Sequence, residues 1–190
     1  MLTPSSVRRD FLSEVQGVKV RMRDYVLFYV NGKRYQIRGE AVFSSLTDFL
    51  RYELQLTGTK VVCAEGDCGA CTVLVGRLDA DGVRYETVDA CIQFLYQLDC
   101  KHVVTVEGLR SGSDLHPVQE AMVDHHGSQC GYCTPGFVVA LAGFFEQRSE
   151  VTPEVLRTAL TGNLCRCTGY EGIVQAVLAT AANSASMDPG

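Results

Sequence analysis

Long hydrophobic runs and an excess of basic residues are both missing from this sequence. No stretch reaches the roughly 18 apolar residues that a membrane-spanning helix requires. The longest apolar stretch, residues 137–145, is better interpreted as a buried helix of a globular core. The formal net charge is −5, so the broad basic face of a nucleic-acid-binding protein is not expected. The composition therefore predicts neither a membrane nor a nucleic acid as a partner.

The N-terminus has little of what an export signal needs. Residues 8–12, Arg-Arg-Asp-Phe-Leu, resemble the core of a twin-arginine signal, after which an uncharged apolar segment should follow. Residues 13–24 instead contain five charged side chains. We therefore predict a cytoplasmic protein in which residues 1–22 form a polar N-terminal extension.

The periodicity of the apolar residues changes near the middle of the chain. The first part predicts short strands, with Asn31-Gly32 as a tight hairpin turn and Ser45 with Asp48 capping one helix. The predicted strands are 25–30, 33–38, 72–77, 83–88 and 103–106. A turn over residues 79–82 is predicted to join the third and fourth of these strands.

Proline positions predict helices in the second part of the chain. Pro117, Pro135 and Pro153 suit the first helical position, and Thr134 and Thr152 are expected as N-caps. The predicted helices are 117–126, 135–147, 153–161 and 171–182. We expect an α+β fold with a strand-rich domain over 23–110, a small all-α four-helix bundle over 111–182 and a flexible tail over 183–190.

The nine cysteines fall into groups, and an odd number cannot be fully paired within one chain. In a reducing cytosol, clustered thiols are better interpreted as metal or cluster ligands than as disulfides. Cys63, Cys68 and Cys71, followed by a distant Cys91, have the C-x4-C-x2-C spacing of plant-type ferredoxins, which bind a [2Fe–2S] cluster. Gly66 and Gly69 would let that loop wrap closely, so that its N–H groups point at sulfur. A four-thiolate zinc site is the alternative, although its usual signature is two C-x2-C pairs.

A second group has the pattern C-x2-C…C-x-C. It comprises Cys130, Cys133, Cys165 and Cys167. A C-x-C pair is unusual for zinc, and Arg166 between the two ligands could help to neutralise a negative cluster. Taken alone, this group leaves open a redox C-x-x-C motif or a zinc site. Beside the first group, it favours a second cluster, because two neighbouring clusters make a path for electrons.

Four stretches of sequence resemble the iron–sulfur component of molybdenum hydroxylases, the family of xanthine dehydrogenase, aldehyde oxidase and carbon monoxide dehydrogenase. They are Cys-Ala-Glu-Gly-Asp-Cys-Gly-Ala-Cys-Thr-Val (63–73), Val-Thr-Val-Glu-Gly-Leu (104–109), Gln-Cys-Gly-Tyr-Cys-Thr-Pro-Gly (129–136) and Gly-Asn-Leu-Cys-Arg-Cys-Thr-Gly-Tyr (162–170). The resemblance covers about residues 24–182. Residues 58–60, 65–67 and 115–129 look most like bacterial xanthine dehydrogenases.

The resemblance implies a ferredoxin-like β-grasp domain followed by a helical domain, each with one [2Fe–2S] cluster. It implies that the cluster nearer FAD is held by Cys63, Cys68, Cys71 and Cys91. The other, nearer the molybdenum cofactor, would be held by Cys130, Cys133, Cys165 and Cys167. Gln129 and Cys167 match positions that contact the molybdopterin. FAD and molybdopterin would belong to partner chains.

The sequence departs from the family pattern at a few positions. Val61-Val62 stand before Cys63 where the family usually has glycine, and bulky valine is expected to crowd the cluster loop. Tyr96 and Cys100 stand where proline and glycine are expected. Cys100, the ninth thiol, is interpreted as an ordinary core or surface residue. All eight ligand positions are filled.

These observations predict an electron-transfer subunit with no catalytic residue of its own. The four histidines are interpreted as helix or surface residues, and no motif for binding a substrate is present. The favoured enzyme hydroxylates a purine such as xanthine, and the alternatives are an aldehyde, carbon monoxide or other N-heterocycle dehydrogenase. A stand-alone ferredoxin and a zinc-binding interaction module also remain open. A separate small subunit is favoured over a fragment of a longer iron–sulfur and flavin chain.

Overall fold

The strand-rich part of the chain forms one five-stranded sheet. The computed structural model describes residues 23–80, 82–147 and 151–186, so the extension predicted over residues 1–22 lies outside the described residues. The strands are β1 (Val26–Val30), β2 (Lys33–Ile37), β3 (Thr72–Asp79), β4 (Gly82–Asp89) and β5 (His102–Val104). Both ends of each strand lie within two residues of the ends that the sequence predicted. The predicted turn over residues 79–82 includes residue 81, which is outside the described residues.

The sheet is mixed, with the strand order β2-β1-β5-β3-β4. Two antiparallel hairpins, β1 with β2 and β3 with β4, are joined by β5, which lies parallel to β1 and antiparallel to β3. The first hairpin turns at Asn31 and Gly32, whose φ angles of 49° and 79° confirm the predicted tight turn. The β3–β4 hairpin lies at the other edge of the sheet and leads directly to Cys91.

One short helical segment covers the sheet. It begins as α1 (Leu46–Asp48) and continues as a wider π turn over Phe49–Glu53. The Ser45 hydroxyl accepts a hydrogen bond from the Asp48 N–H at 3.1 Å, which confirms Ser45 as the N-cap. Leu46, Phe49 and Leu50 pack with residues of the sheet in a first hydrophobic core cluster. Burial of these side chains supplies the main stabilisation of this part of the molecule.

Four further helices pack around a second core cluster. They are α2 (Pro117–Asp124), α3 (Thr134–Gln147), α4 (Pro153–Ala159) and α5 (Glu171–Ser186). Helix α5 continues to Ser186, so residues 183–186 belong to a helix rather than to the predicted tail, and residues 187–190 lie outside the described residues. No helix in the described part of the chain is both long and apolar enough to cross a bilayer.

The helix starts differ in how they are capped. Thr152 caps α4 as predicted, because its hydroxyl accepts from the Val155 N–H. The prediction for Thr134 is wrong: α3 already includes Thr134, and its hydroxyl donates to Ser128 Oγ at 2.9 Å. The first helical bond of α3 runs from the Phe137 N–H to the Cys133 carbonyl. The helix therefore starts directly at a cysteine of the second group.

Helix α3 joins the two parts of the α+β fold. Its glycines allow close approach, since a Cβ at Gly143 would lie 2.6 Å from Leu74 Cδ2 on β3. A Cβ at Gly136 would collide with the Gly69 carbonyl of the first cysteine loop. The helical part is therefore packed directly against the sheet and against the loop that carries the first cysteines.

Candidate metal centres

The first group of cysteines lies in a loop between the helical segment and β3. Cys68 and Cys71 are buried, Cys63 is half-buried, and the half-buried Cys91 comes just after β4. The β3–β4 hairpin returns the chain to the loop, because the Ala90 N–H donates to the Cys71 carbonyl. This pairing brings Cys91 next to Cys71 although the two are far apart in sequence.

Glycine is required at two points of this loop. Gly66 and Gly69 have φ angles of 77° and 66°, in the left-handed region that favours glycine. A Cβ at Gly66 would also lie 2.5 Å from Ile92 Cδ1, and one at Gly69 would collide with the Gly162 carbonyl. The prediction that both glycines are needed for close wrapping is confirmed.

Backbone N–H groups point at the sulfur of Cys63, as predicted from the glycines. The N–H groups of Glu65, Asp67 and Cys68 donate to it, the Asp67 bond measuring 3.4 Å, and together they lower the pKa of Cys63 to about 6. Burial instead raises the pKa of Cys71. Binding of a metal cluster at Cys71 would therefore have to release the proton of this thiol.

The second group assembles from two loops of the helical part. Cys130 and Cys133 come just before α3, while Cys165 and Cys167 lie between α4 and α5. Cys165 is buried, Cys133 is half-buried, and both Cys130 and Cys167 are exposed. One side of this group is therefore open to the surface.

The local environments within the second group differ. Burial raises the pKa of Cys133 to about 12. Burial acts in the same direction on Cys165, but hydrogen bonds from Thr168, from the Cys167 N–H and from Cys133 together outweigh it and lower the pKa of Cys165. The Thr168 hydroxyl lies 3.1 Å from the Cys165 sulfur. The pKa of Cys167 is raised by its hydrogen bond with Cys130.

In both groups, the cysteine sulfurs lie in pairs that contact each other. Cys130 and Cys167 lie 3.6 Å apart. Thiol contacts also join Cys63 with Cys68, Cys71 with Cys91, and Cys133 with Cys165. Within the described ranges, no three His, Cys, Asp or Glu side chains are arranged to hold a single metal ion. Paired thiols fit a dinuclear cluster, in which each iron takes two protein ligands.

The two groups lie side by side and are directly hydrogen-bonded. The Leu164 N–H donates to the Cys68 carbonyl at 3.0 Å, which links the residue before Cys165 to a cysteine of the first group. Tyr132, between Cys130 and Cys133, donates to the Val61 carbonyl at 3.3 Å. Both loops of the second group thus rest on the loop of the first.

The residues that depart from the family pattern lie mostly at the surface. Val62 is 60% exposed and Val61 is half-buried, so crowding of the cluster loop by valine stays a prediction. Tyr96 is also exposed and packs on Phe43 and Phe94. Cys100 is exposed with a φ of 59°, a conformation that explains why glycine is expected there.

Several residues around the cysteines have roles that the motifs alone did not indicate. Asp89 accepts a hydrogen bond from Cys71 at 3.7 Å, and burial raises the pKa of this carboxyl. Tyr170 accepts from the Cys165 N–H at 2.9 Å. The buried Asn163 contacts the first loop. Asp89 lies two residues from Cys91 and Tyr170 lies three residues from Cys167, so proximity in sequence was the available signal.

Two predicted roles stay predictions. Gln129 is exposed directly beside Cys130, on the open side of the second group. Arg166 is also exposed, between Cys165 and Cys167. The position of Gln129 suits contact with a partner, and the position of Arg166 suits neutralisation of the negative charge of a cluster.

Two family models match consecutive parts of the chain. The model described as "2Fe-2S iron-sulfur cluster binding domain" matches residues 28–105. The model described as "[2Fe-2S] binding domain" matches residues 105–178. The first range contains the first cysteine group, and the second range contains the second group.

Similar curated proteins are large oxidoreductases. Aldehyde oxidase 4 of Cavia porcellus is 44% identical over 155 residues, which are 80% of this chain and 12% of that protein. Xanthine dehydrogenase/oxidase of Mus musculus is 42% identical over 154 residues, again 80% of this chain and 12% of that protein. The chain thus spans about an eighth of the length of these relatives.

Solved structures show the same likeness. The aldehyde oxidoreductase of Desulfovibrio gigas matches 87% of this chain and 18% of its own, with 36% identity and a TM-score of 0.75. Quinoline 2-oxidoreductase of Pseudomonas putida 86 matches 87% of this chain and 98% of its own, with 31% identity and a TM-score of 0.71. The chain therefore belongs to the [2Fe–2S] iron–sulfur components of the xanthine dehydrogenase and aldehyde oxidase family of oxidoreductases.

Proposed function

We propose that this chain carries electrons between a molybdenum centre and FAD, both held by partner chains, through two [2Fe–2S] clusters. The observation that carries this proposal is the direct contact between two four-cysteine groups, made by the Leu164 N–H and the Cys68 carbonyl. A single ferredoxin-type cluster would suffice for a diffusing carrier. Two adjacent groups suit a fixed path between two partners.

The paired thiols support the assignment of the ligands. We propose that the first cluster takes Cys63 with Cys68 on one iron and Cys71 with Cys91 on the other. In the second cluster, Cys130 would pair with Cys167, and Cys133 with Cys165. When bound, the clusters would accept and release electrons one at a time. The N–H groups around Cys63 and the Thr168 hydroxyl beside Cys165 would stabilise the negative charge of the thiolates.

The fold supports a division into two domains. We assign residues 23–110 to a β-grasp domain of the ferredoxin type and residues 111–182 to a helical bundle domain. The mixed sheet with its covering helical segment supports the first assignment. The second core cluster, built from α2 to α5, supports the other.

The open side of the second group suits contact with the molybdenum-bearing partner. Cys130, Cys167 and Gln129 are all exposed there. We propose that Gln129 and Cys167 contact the molybdopterin. The first group of cysteines, which includes Cys63, would then lie nearer to FAD. We expect Gln129→Ala to lower turnover of the assembled enzyme by about 10-fold, as for other residues that support a metal site. Iron content should stay unchanged, and normal turnover would contradict this role.

The substrate belongs to the partner chains, and the relatives support two classes equally. Hydroxylation of a purine such as xanthine is our first proposal, and the name of the mouse relative supports it. Oxidation of an aldehyde or of an N-heterocycle is the alternative, supported by the names of other relatives. We further propose that the molecule works in the cytoplasm, beside its flavin- and molybdenum-bearing partners.

The direct test is anaerobic purification of the native protein, followed by metal and sulfide analysis and identification of the chains that co-elute. We expect iron and acid-labile sulfide in equal amounts, two distinct paramagnetic signals after reduction, and co-elution with larger flavin- and molybdenum-containing chains. Stoichiometric zinc without iron would contradict the proposal. A loaded protein that elutes alone from the native source would indicate a stand-alone ferredoxin.

A further inference from the structure

Asn163 is a buried side chain that joins the two cysteine loops by hydrogen bonds. It lies in the loop between α4 and Cys165 and is only 5% exposed. Its amide nitrogen donates to the Gly69 carbonyl at 2.9 Å and to Thr72 Oγ1 at 3.2 Å. Gly69 lies between Cys68 and Cys71, so one amide group spans from the second group of cysteines to the first.

The first cysteine loop leaves space for the Asn163 amide at Gly69. A Cβ at Gly69 would lie 2.5 Å from Asn163 Nδ2, so any side chain there would displace Asn163. The Thr72 hydroxyl accepts from Asn163 and itself donates to the Gly69 carbonyl at 2.7 Å. The three groups therefore form a closed and buried hydrogen-bonded triangle, in which each polar atom is satisfied.

The other end of Asn163 is also fixed. Its backbone N–H donates to the Leu160 carbonyl at 3.0 Å, which attaches the loop to the end of α4. The next residue, Leu164, makes the bond to the Cys68 carbonyl, and Cys165 follows. The Asn163 triangle therefore lies immediately beside a backbone hydrogen bond that joins the two groups of cysteines.

We infer that Asn163 is a positioning residue, whose amide sets the separation of the two clusters by holding the Gly69 carbonyl against the loop that leads to Cys165. This inference rests on the proposed function. Electron transfer and magnetic interaction between two centres both weaken steeply as their separation grows. Without the amide, neither cluster loses a ligand, but the Leu164 to Cys68 bond loses its neighbouring support.

The test compares Asn163→Leu with the parent in the loaded protein. Leucine is of similar size but donates no hydrogen bond. We expect both clusters and the iron content to remain, the magnetic interaction between the two reduced clusters to weaken, and electron transfer between them to slow by about 10-fold, as for other residues that orient metal ligands. Pulsed electron paramagnetic resonance and fast reduction kinetics measure these two effects.

A second variant keeps the inference testable if Asn163→Leu does not fold. Thr72→Val removes the shared hydroxyl but keeps the Asn163 bond to Gly69, so a smaller change in the same direction is expected. The matched control is Asn31→Gly, which also removes an amide with two hydrogen bonds, here to Thr105, outside both groups of cysteines. The φ of 49° at Asn31 suits glycine.

The outcomes separate this inference from the proposed function. Weaker interaction in Asn163→Leu but not in Asn31→Gly supports it. An unchanged interaction in Asn163→Leu overturns it, as does an equal loss in the control, which would indicate general destabilisation. A parent protein without iron and sulfide would instead overturn the proposed function itself, and the inference with it.

Discussion

His102 connects three parts of the sheet through its ring. Its Nε2 accepts a hydrogen bond from the Gly32 N–H at 3.0 Å, and its Nδ1 lies 2.6 Å from the Tyr85 hydroxyl. An imidazole that accepts at Nε2 is neutral and carries its proton on Nδ1. Burial lowers the pKa of His102 from its ordinary value of 6.5. Protonation would remove the acceptor that holds the first hairpin turn.

This arrangement predicts a pH-dependent stability. Below about pH 6.5, the unfolded chain binds a proton at His102 more readily than the folded protein does, so the free energy of unfolding should fall as the pH drops. Above that pH the side chain is neutral in both states, and its contribution is constant. Urea unfolding at pH 7.5 and 5.5 measures the difference.

The control variants identify the histidine responsible. In His102→Gln the fall in stability between the two pH values should be smaller than in the parent. His125→Gln, which changes an exposed histidine outside this hydrogen-bonded site, is the control. His116, whose pKa is also lowered by burial, would retain its own share in both variants. An equal fall in the parent and in His102→Gln would contradict the assignment.

Cys100 carries a backbone conformation that costs stability. Its φ of 59° costs a residue with a Cβ about 1–2 kcal/mol. Replacement by glycine removes this strain but adds about 0.5–1 kcal/mol of chain entropy to be lost on folding. We therefore expect Cys100→Gly to raise the free energy of unfolding by about 0.5–1 kcal/mol in thermal or urea unfolding. Cys100→Ser, which keeps the strain, should show no gain, and a gain in both would point to the thiol instead.

Helix α3 depends on a glycine at the start of its first turn. Alanine normally stabilises a helix relative to glycine by about 0.5–1 kcal/mol. At Gly136, however, the added Cβ would collide with the Gly69 carbonyl, which cannot move without shifting the first cysteine loop. We expect Gly136→Ala to lower the free energy of unfolding by about 1–3 kcal/mol, the usual cost of overpacking.

Gly162, in the loop after α4, provides the control for this substitution. A Cβ there meets no atom within 4 Å, and its φ does not require glycine. Gly162→Ala should therefore leave the free energy of unfolding close to that of the parent. Urea unfolding of both variants measures the contrast. Equal stability of the two variants would show that α3 can shift away from the loop without cost.

The elements also show what a sequence can and cannot predict. Local signals predicted the five strands and the longer helices of the described residues, because apolar periodicity, Pro117 and the Asn31-Gly32 turn act over a few residues. The short 3-10 helices, such as Leu95–Leu98, were not predicted. The parallel pairing of β1 with β5 has no local signal, since it joins segments far apart in the chain. The Thr134 cap was mispredicted because Ser128, six residues away, engages its hydroxyl.

The same distinction holds for the candidate site. Ligand spacing is imposed by the geometry of a cluster, so the two groups of cysteines could be recognised from sequence alone. The paired arrangement of the sulfurs needs the fold, since β4 brings Cys91 back to Cys71. The role of Asn163 depends on packing between the two parts of the molecule. No spacing rule predicts such a contact.

At the scale of the whole molecule, two hydrophobic cores support two groups of cysteines that meet at one boundary. One of the bonds across it, from the Leu164 N–H to the Cys68 carbonyl, uses only backbone atoms. The bonds that Tyr132 and Asn163 make across it involve no cysteine side chain. A change of a cysteine side chain therefore need not break the contact between the groups. Each group can then be altered separately while the other stays in place.

This independence predicts the outcome of removing one ligand from each group. Cys68→Ser should disturb one paramagnetic signal of the reduced protein and leave the other largely intact, and Cys133→Ser should do the reverse. Electron paramagnetic resonance spectra of the two reduced variants, compared with that of the parent, measure which signal is lost. Circular dichroism checks that each variant is folded. If either substitution abolished both signals in a folded protein, the eight sulfurs would belong to one coupled site. The assignment of a separate cluster to each core would then be wrong.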